Sequence, residues 1–132
     1  MKKSILVVDD DKGILTLLRF ILEQHYTVTL AENGITALQK LNETVKHPDL
    51  IICDLAMPYL NGNSFIRQVK ISGFYRDIPV MVLSASESIE QQVKDMPFHI
   101  DGFLQKPFSP VVLQEMIKTI IDSSVTNKSS SS

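Results

Sequence analysis

Asp9, Asp10 and Asp11 follow directly on the apolar run ILVV at 5–8, and Asp54 closes the run DLIIC at 49–53. Ser84 follows PVMVL at 79–83, and Lys106 and Pro107 follow GFLQ at 102–105. Aiming a buried segment at a knot of carboxylates is costly, since two unit charges ~4 Å apart at an effective dielectric of ~20 repel by about 4 kcal/mol. A cation offsets that cost. If the strand ends meet, Asp9, Asp10 and Asp54 can hold a hard divalent ion while the Ser84 hydroxyl and the Lys106 ammonium receive an anion's oxygens. Magnesium suits such a set best, because it takes one or two carboxylates, keeps several waters and accepts further oxygens from a phosphate.

The elements that would bring these residues together are legible as alternating patterns. Five short apolar runs, the first four rich in β-branched residues, at 5–8, 26–31, 49–53, 79–83 and 102–105, read as strands. Helical spacing lies between them, clearest at Ile14, Leu17, Leu18, Ile21 and Leu22 and again from Leu113 to Ile121. Asn33 and Asp11 stand as helix caps. Ser109 and Pro110 form a start signal, because proline lacks the N–H that goes unpaired in a first turn. Strands alternating with helices predict a parallel sheet covered on both faces, an α/β fold of three layers. In such sheets ligands bind beyond the carboxyl ends of the strands, which is where the polar residues fall. The segment 86–96 offers only Ile89, Val93 and Met96 as apolar anchors, so a helix there is expected to pack weakly and move most easily.

Composition narrows the function further. The chain has 132 residues, 44% hydrophobic and 21% charged, which fits one domain over 1–123 followed by a polar, disordered tail or linker stub over 124–132. With a net charge of −2 and scattered lysines and arginines, no basic stripe for direct nucleic acid binding is expected. The single cysteine, Cys53, sits in an apolar run and reads as a buried small residue in a reducing, cytoplasmic setting. No membrane insertion and no export signal are expected. His25, His47 and His99 share no metal-ligand spacing, and Phe20, Phe74 and Phe98 read as core or semi-exposed packing residues.

The motifs VVDDD, DLAMPYLNG at 54–62, VLSAS at 82–86 and FLQKPF at 103–108 together resemble the signature regions of response regulator receiver domains, in order and with compatible spacing. The resemblance covers about residues 3–122. It implies a flavodoxin-like sheet of order 2-1-3-4-5, and a domain that accepts a phosphoryl group from a sensor histidine kinase or a histidine phosphotransfer protein. Asp54 would be the phosphoacceptor. Asp10, Asp54 and the backbone carbonyl of Ala56 would ligate magnesium, with manganese as a substitute, and Asp9 would act largely through a bound water. Ser84 and Lys106 would bind phosphoryl oxygens, Phe103 would be the switch aromatic, Pro107 would set the Lys106 loop through a cis peptide bond, and Gly62 would serve a turn. A downstream protein target would read the state on the face built from 86–122. Ile14 and Leu15 are expected to contact the phosphodonor. The catalysis involved is limited to the domain's own phosphorylation and dephosphorylation.

Two departures stand out. FHIDGF replaces the small residues usual before the fifth strand, and position 103 is Phe rather than Tyr. Two alternatives also stay open: a pseudo-receiver that binds proteins without phosphorylation, and a haloacid-dehalogenase-like phosphatase using Asp9 and Asp11 as a DxD pair. The complete acidic set speaks against the first and the otherwise idle Asp54 against the second. The output is expected to be a contact made by this domain alone, as in a stand-alone regulator or phosphorelay shuttle, or to lie in a further domain.

Overall fold

The structure, a computed structural model, describes residues 2–56 and 61–130. Five parallel strands, β1 (Lys3–Val8), β2 (Tyr26–Ala31), β3 (Leu50–Asp54), β4 (Val80–Ser84) and β5 (Gly102–Gln105), form one sheet of order β2-β1-β3-β4-β5. Between and after them run α1 (Lys12–Leu22), α2 (Gly34–Glu43), α3 (Gly62–Ile71), α4 (Ile89–Lys94) and α5 (Pro110–Ser130). The expected α/β fold and strand order are both present.

Side-chain alternation divides the core into two layers. Leu6, Val8, Ile51, Cys53, Val80 and Val82 face α2, α3 and α4, where Leu41, Phe65 and Ile89 close the layer. Ile5, Val7, Leu50, Ile52, Met81 and Leu83 face α1 and α5, against Leu18, Leu22, Leu113 and Ile117. The central strands are therefore buried on both sides, which is why they read as unbroken apolar runs.

The helix starts follow their caps. Asp11 accepts hydrogen bonds from the N–H groups of Gly13 (2.8 Å) and Ile14 (3.3 Å), and Asn33 accepts one from Thr36 (2.8 Å). Asp11 is thus spent on α1. The Val112 N–H lies 3.4 Å from Ser109 Oγ, at the start signal expected there. α5 extends to Ser130, beyond residue 123 where the sequence places the end of the domain.

β1 begins at Lys3, two residues before the expected run, and β3 and β4 each lie one residue later than expected, at 50–54 and 80–84. Asp49 stays outside β3, because its carboxylate accepts the Ser4 N–H at 2.8 Å while its own N–H donates to the Ser4 carbonyl at 2.8 Å. Asp101 repeats the device on β4, accepting from Val80 N and donating to Val80 O, both at 2.9 Å. These carboxylates tie off the amino ends of β1 and β4.

Other expectations need correction. Leu15 rather than Leu17 completes the buried stripe of α1, with Leu17 43% exposed, so Leu15 packs as a core residue. The helix carries two apolar faces, and only tertiary packing selects one. Phe20 and Phe74 are 72% and 81% exposed and lie outside the core. The bulk of FHIDGF is accommodated simply. His99 turns outward to Asp101, at 3.3 Å, and Ile100 packs against the α2–α3–α4 layer.

Candidate functional site

Parallel register levels the strand ends. Val8 pairs with Cys53, Asp54 with Leu83 and Ser84 with Gln105, so the residues that close or follow β1, β3, β4 and β5 share one edge. Asp9, Asp10 and Asp54 meet there, each offering a carboxylate oxygen within 4.8 Å of the others. Asp9 and Asp54 are 1% and 5% exposed, while Asp10 is open to solvent.

Lys106 enters this cluster from the far side of the sheet. Its ammonium donates to Asp9 Oδ2 at 2.7 Å and lies 3.6 Å from Asp54 Oδ2. The other Asp9 oxygen accepts the Asp11 N–H at 2.9 Å. Asp9 is therefore fixed at both oxygens, and the lysine supplies the cation that the sequence demands. Burial by itself would lower the Lys106 pKa, but the hydrogen bond and charge of Asp9, with Asp54 behind them, outweigh it and hold the ammonium above its ordinary value.

Asp54 is the least settled member. Burial first, and the Asp9 charge second, push its carboxyl up to about 6, against the pull of Lys106 and of the Ala56 N–H, 3.4 Å from Oδ1. A carboxyl raised in this way, with only long contacts, is poised to exchange its present partners for a ligand. Next to it, burial and then the charges of Asp54 and Asp9 raise the Cys53 thiol well above its usual value. Cys53 is accordingly an inert buried group, as expected.

The remaining residues frame the cluster. Ser84 is 4% exposed; its Oγ accepts the Ser86 N–H at 3.1 Å, and its carbonyl accepts the Lys106 N–H at 2.8 Å. The residue that follows β5 is thus tied by its backbone to the end of β4. The Lys106–Pro107 peptide bond is cis. Phe103, opposite Val82 in register, packs half-buried against the layer that includes α4. α4 has six residues, with Ile89 its one buried side chain and no side-chain bond at its Ser88 cap.

Gly62 has a different role from the one expected. Among the described glycines none has a positive φ, so Gly62 is not chosen for a turn conformation. A Cβ there would strike the Asp54 carbonyl oxygen and Leu55 Cα, and the Gly62 N–H donates to the Leu55 carbonyl at 3.0 Å. The glycine lets α3 press directly on the backbone that carries Asp54. No local pattern announces such a contact. Ala56 lies two residues beyond Asp54 and is exposed; the MPYL portion of the expected motif, residues 57–60, lies outside the described residues.

A family model described as the response regulator receiver domain matches residues 5–118. The chain belongs to the response regulator receiver domain family. It is 37% identical over 122 residues to the phosphate regulon transcriptional regulatory protein PhoB of Escherichia coli, covering 92% of this chain and 52% of that protein. The chain thus spans about half the length of the curated relatives it matches. Among solved structures, a receiver domain of a signal transduction histidine kinase from Syntrophus aciditrophicus is 31% identical with a TM-score of 0.81, over 92% of this chain and 91% of that one. A CheY-like receiver domain protein from Methanospirillum hungatei is 26% identical with a TM-score of 0.85, over 96% and 99%.

Membership of the receiver family makes this a signalling domain and not an enzyme of the phosphatase kind. The geometry agrees, since Asp11 is committed to capping α1 and leaves Asp9 without the DxD partner a dehalogenase-like site requires. No helix among the described residues is long and apolar enough to cross a membrane.

Proposed function

We infer that this receiver domain takes a phosphoryl group onto Asp54, and that the single observation carrying this reading is the convergence of the Asp9, Asp10 and Asp54 carboxylates within 4.8 Å of one another, with the Lys106 ammonium beside Asp9 and Asp54. The donor set is all oxygen and contains no histidine or thiol, which fits magnesium, with manganese as a substitute. Asp10, Asp54 and the Ala56 carbonyl would hold the ion and Asp9 would act through a bound water. When bound, magnesium would neutralise carboxylate and phosphoryl charge together.

The chain's own groups do the rest. An Asp54 carboxylate oxygen attacks the phosphorus of a phosphohistidine on a sensor kinase or phosphotransfer protein. A P–O bond forms as the P–N bond breaks, and the departing electron pair stays on the imidazole nitrogen, which then takes up a proton. Lys106 leaves Asp9 to meet the new phosphoryl oxygens, and the Ser84 hydroxyl supplies a second donor from the neighbouring strand. Pro107 would set the loop that carries Lys106, and Gly62 would let α3 support the backbone at Asp54 and Leu55. Drawing Ser84 inward would open space for the Phe103 ring, and α4 is the element least anchored against the resulting shift.

The face formed by residues 86–122 would carry the change to a downstream protein in the cytoplasm. This reading assigns no DNA contact to the domain itself. Output through transcription, the role named for PhoB, is compatible with a domain of this kind regulating further chain. Acetyl phosphate with magnesium should label the protein once per chain, and excess chelator should abolish labelling. Equal labelling in chelator would contradict a metal-assisted transfer.

A further inference from the structure

The start of α4 carries a capping signal that the fold leaves unused. Ser88, Ile89, Glu90 and Gln91 spell S-x-x-Q, the pattern in which a cap serine accepts the N–H three residues on while the glutamine side chain reaches back to the serine N–H. Neither bond is present. Ser88 has φ −95° and ψ 20°, outside the extended conformation of a capping residue, and its side chain makes no bond to the first turn.

Ser86 holds both capping groups of Ser88 elsewhere. Its hydroxyl oxygen accepts the Ser88 N–H at 3.1 Å and lies 2.9 Å from the Ser88 hydroxyl, so a single atom occupies the donor and the acceptor through which Ser88 would cap. Gln91 is turned the other way, its Nε2 donating to Asp95 Oδ1 at 2.8 Å at the far end of the helix. Ser86 is in turn tied to the acidic edge of the sheet, because its N–H donates to Ser84 Oγ at 3.1 Å. Serines at three alternate positions thus run from the end of β4 to the first helical bond of α4, in which the Ser88 carbonyl accepts the Gln92 N–H at 2.9 Å.

This chain of bonds has a second arrangement available to it. We propose that Ser86 is a positioning residue that holds the α4 capping box open, and that phosphorylation, by drawing the Ser84 hydroxyl toward Asp54, releases Ser86 and lets Ser88 and Gln91 close the box. The inference rests on the phosphoryl-acceptor reading of Asp54. As Ser84 turns to donate to a phosphoryl oxygen, its bond from the Ser86 N–H lengthens and the turn over 84–86 opens. Ser88 then moves to extended backbone, and α4, anchored by Ile89 alone, is redirected from its first residue.

The test follows the Gln91 amide and the α- and β-carbon resonances of Ser88 in the whole chain, with and without beryllofluoride and magnesium. In the unmutated protein the analogue should slow Gln91 amide exchange by about fivefold, the protection that a cap of ordinary strength gives, and move the Ser88 carbons toward extended values. Ser86→Ala should show both changes without the analogue while keeping Asp54 labelling, and Ser86→Thr, which retains a hydroxyl, should keep the dependence on the analogue. Ser88→Ala and the double variant Ser86→Ala/Ser88→Ala should show neither change. A Ser86→Ala protein whose Gln91 amide matches the unmutated one, or a Gln91 response that survives in Ser88→Ala, would overturn the proposal. If beryllofluoride moves nothing around Asp54, the acceptor reading fails instead, and the Ser86→Ala arm, which needs no analogue, still decides whether Ser86 holds the box open.

Discussion

Lys106 Nζ and Asp9 Oδ2 lie 2.7 Å apart, an ion pair that joins positions separated by 97 residues and closes the acidic edge of the sheet. The lysine occupies the electrostatic role that the proposed metal would share. Asp9 is nearly inaccessible, so removing the ammonium would leave a buried carboxylate beside two others.

Lys106→Gln is therefore expected to lower the melting temperature in metal-free buffer while enlarging the rise produced by saturating magnesium. The loss without metal follows from the exposed repulsion and the larger gain from a site with no resident competitor. Thermal unfolding with and without magnesium measures both. An unchanged magnesium response would mean that Lys106 and the ion do not compete.

Asp54→Asn should make the folded state more stable at neutral pH. A carboxyl raised from 3.8 to about 6 favours the folded state fully below its unfolded pKa, and that benefit is lost as pH rises through about 6. At ~1.4 kcal/mol per unit the shift, which already contains the opposing pull of Lys106, limits the gain to about 3 kcal/mol. The difference between the two proteins should vanish below pH ~3 and reach its plateau above pH ~7. Denaturant melts across this range check it; a difference independent of pH would place the raised carboxyl elsewhere.

Gly62→Ala should destabilise the domain by about 1–3 kcal/mol and suppress labelling, because the new methyl meets backbone that cannot swing aside. Gly73→Ala is the matched control, with nothing within 4 Å of its added Cβ. Comparable labelling in both variants would show that the Asp54 backbone tolerates displacement.

Ser84→Ala should keep labelling at Asp54 but lose most of the distant response. With beryllofluoride and magnesium standing in for the phosphoryl group, amide shifts across 84–110 should exceed those across 26–45 in the unmutated protein. In the variant that contrast should collapse, because the hydroxyl linking the acceptor to the Phe103 side is gone. Retained shifts around Ile89 and Val93 would rule out Ser84 as the coupling residue.

The sequence revealed those features that one stretch of chain determines. β-Branched runs marked four strands and the short run GFLQ the fifth, Asp11 and Asn33 marked helix starts, and the polar residues ending four strands marked the site once the sheet was inferred to be parallel. What escaped depends on partners distant in sequence. Leu15 and Leu17 are equally apolar, and only packing against the sheet decides between them. Asp49 reads as the first residue of the third strand and Asp101 as a loop residue until β1 and β4 are placed beside them. The need for glycine at 62 comes from the Asp54 and Leu55 backbone, which no pattern around residue 62 encodes.

The most direct measurement is residue-level trapping of the acyl phosphate. The protein is phosphorylated by a phosphohistidine donor in magnesium, reduced with borohydride to convert a phosphoaspartate to homoserine, digested and mapped by mass spectrometry. The account predicts homoserine at position 54 and unmodified aspartate at 9, 10 and 11. Homoserine at Asp9 or Asp10, or its undiminished appearance elsewhere in Asp54→Asn, would contradict it.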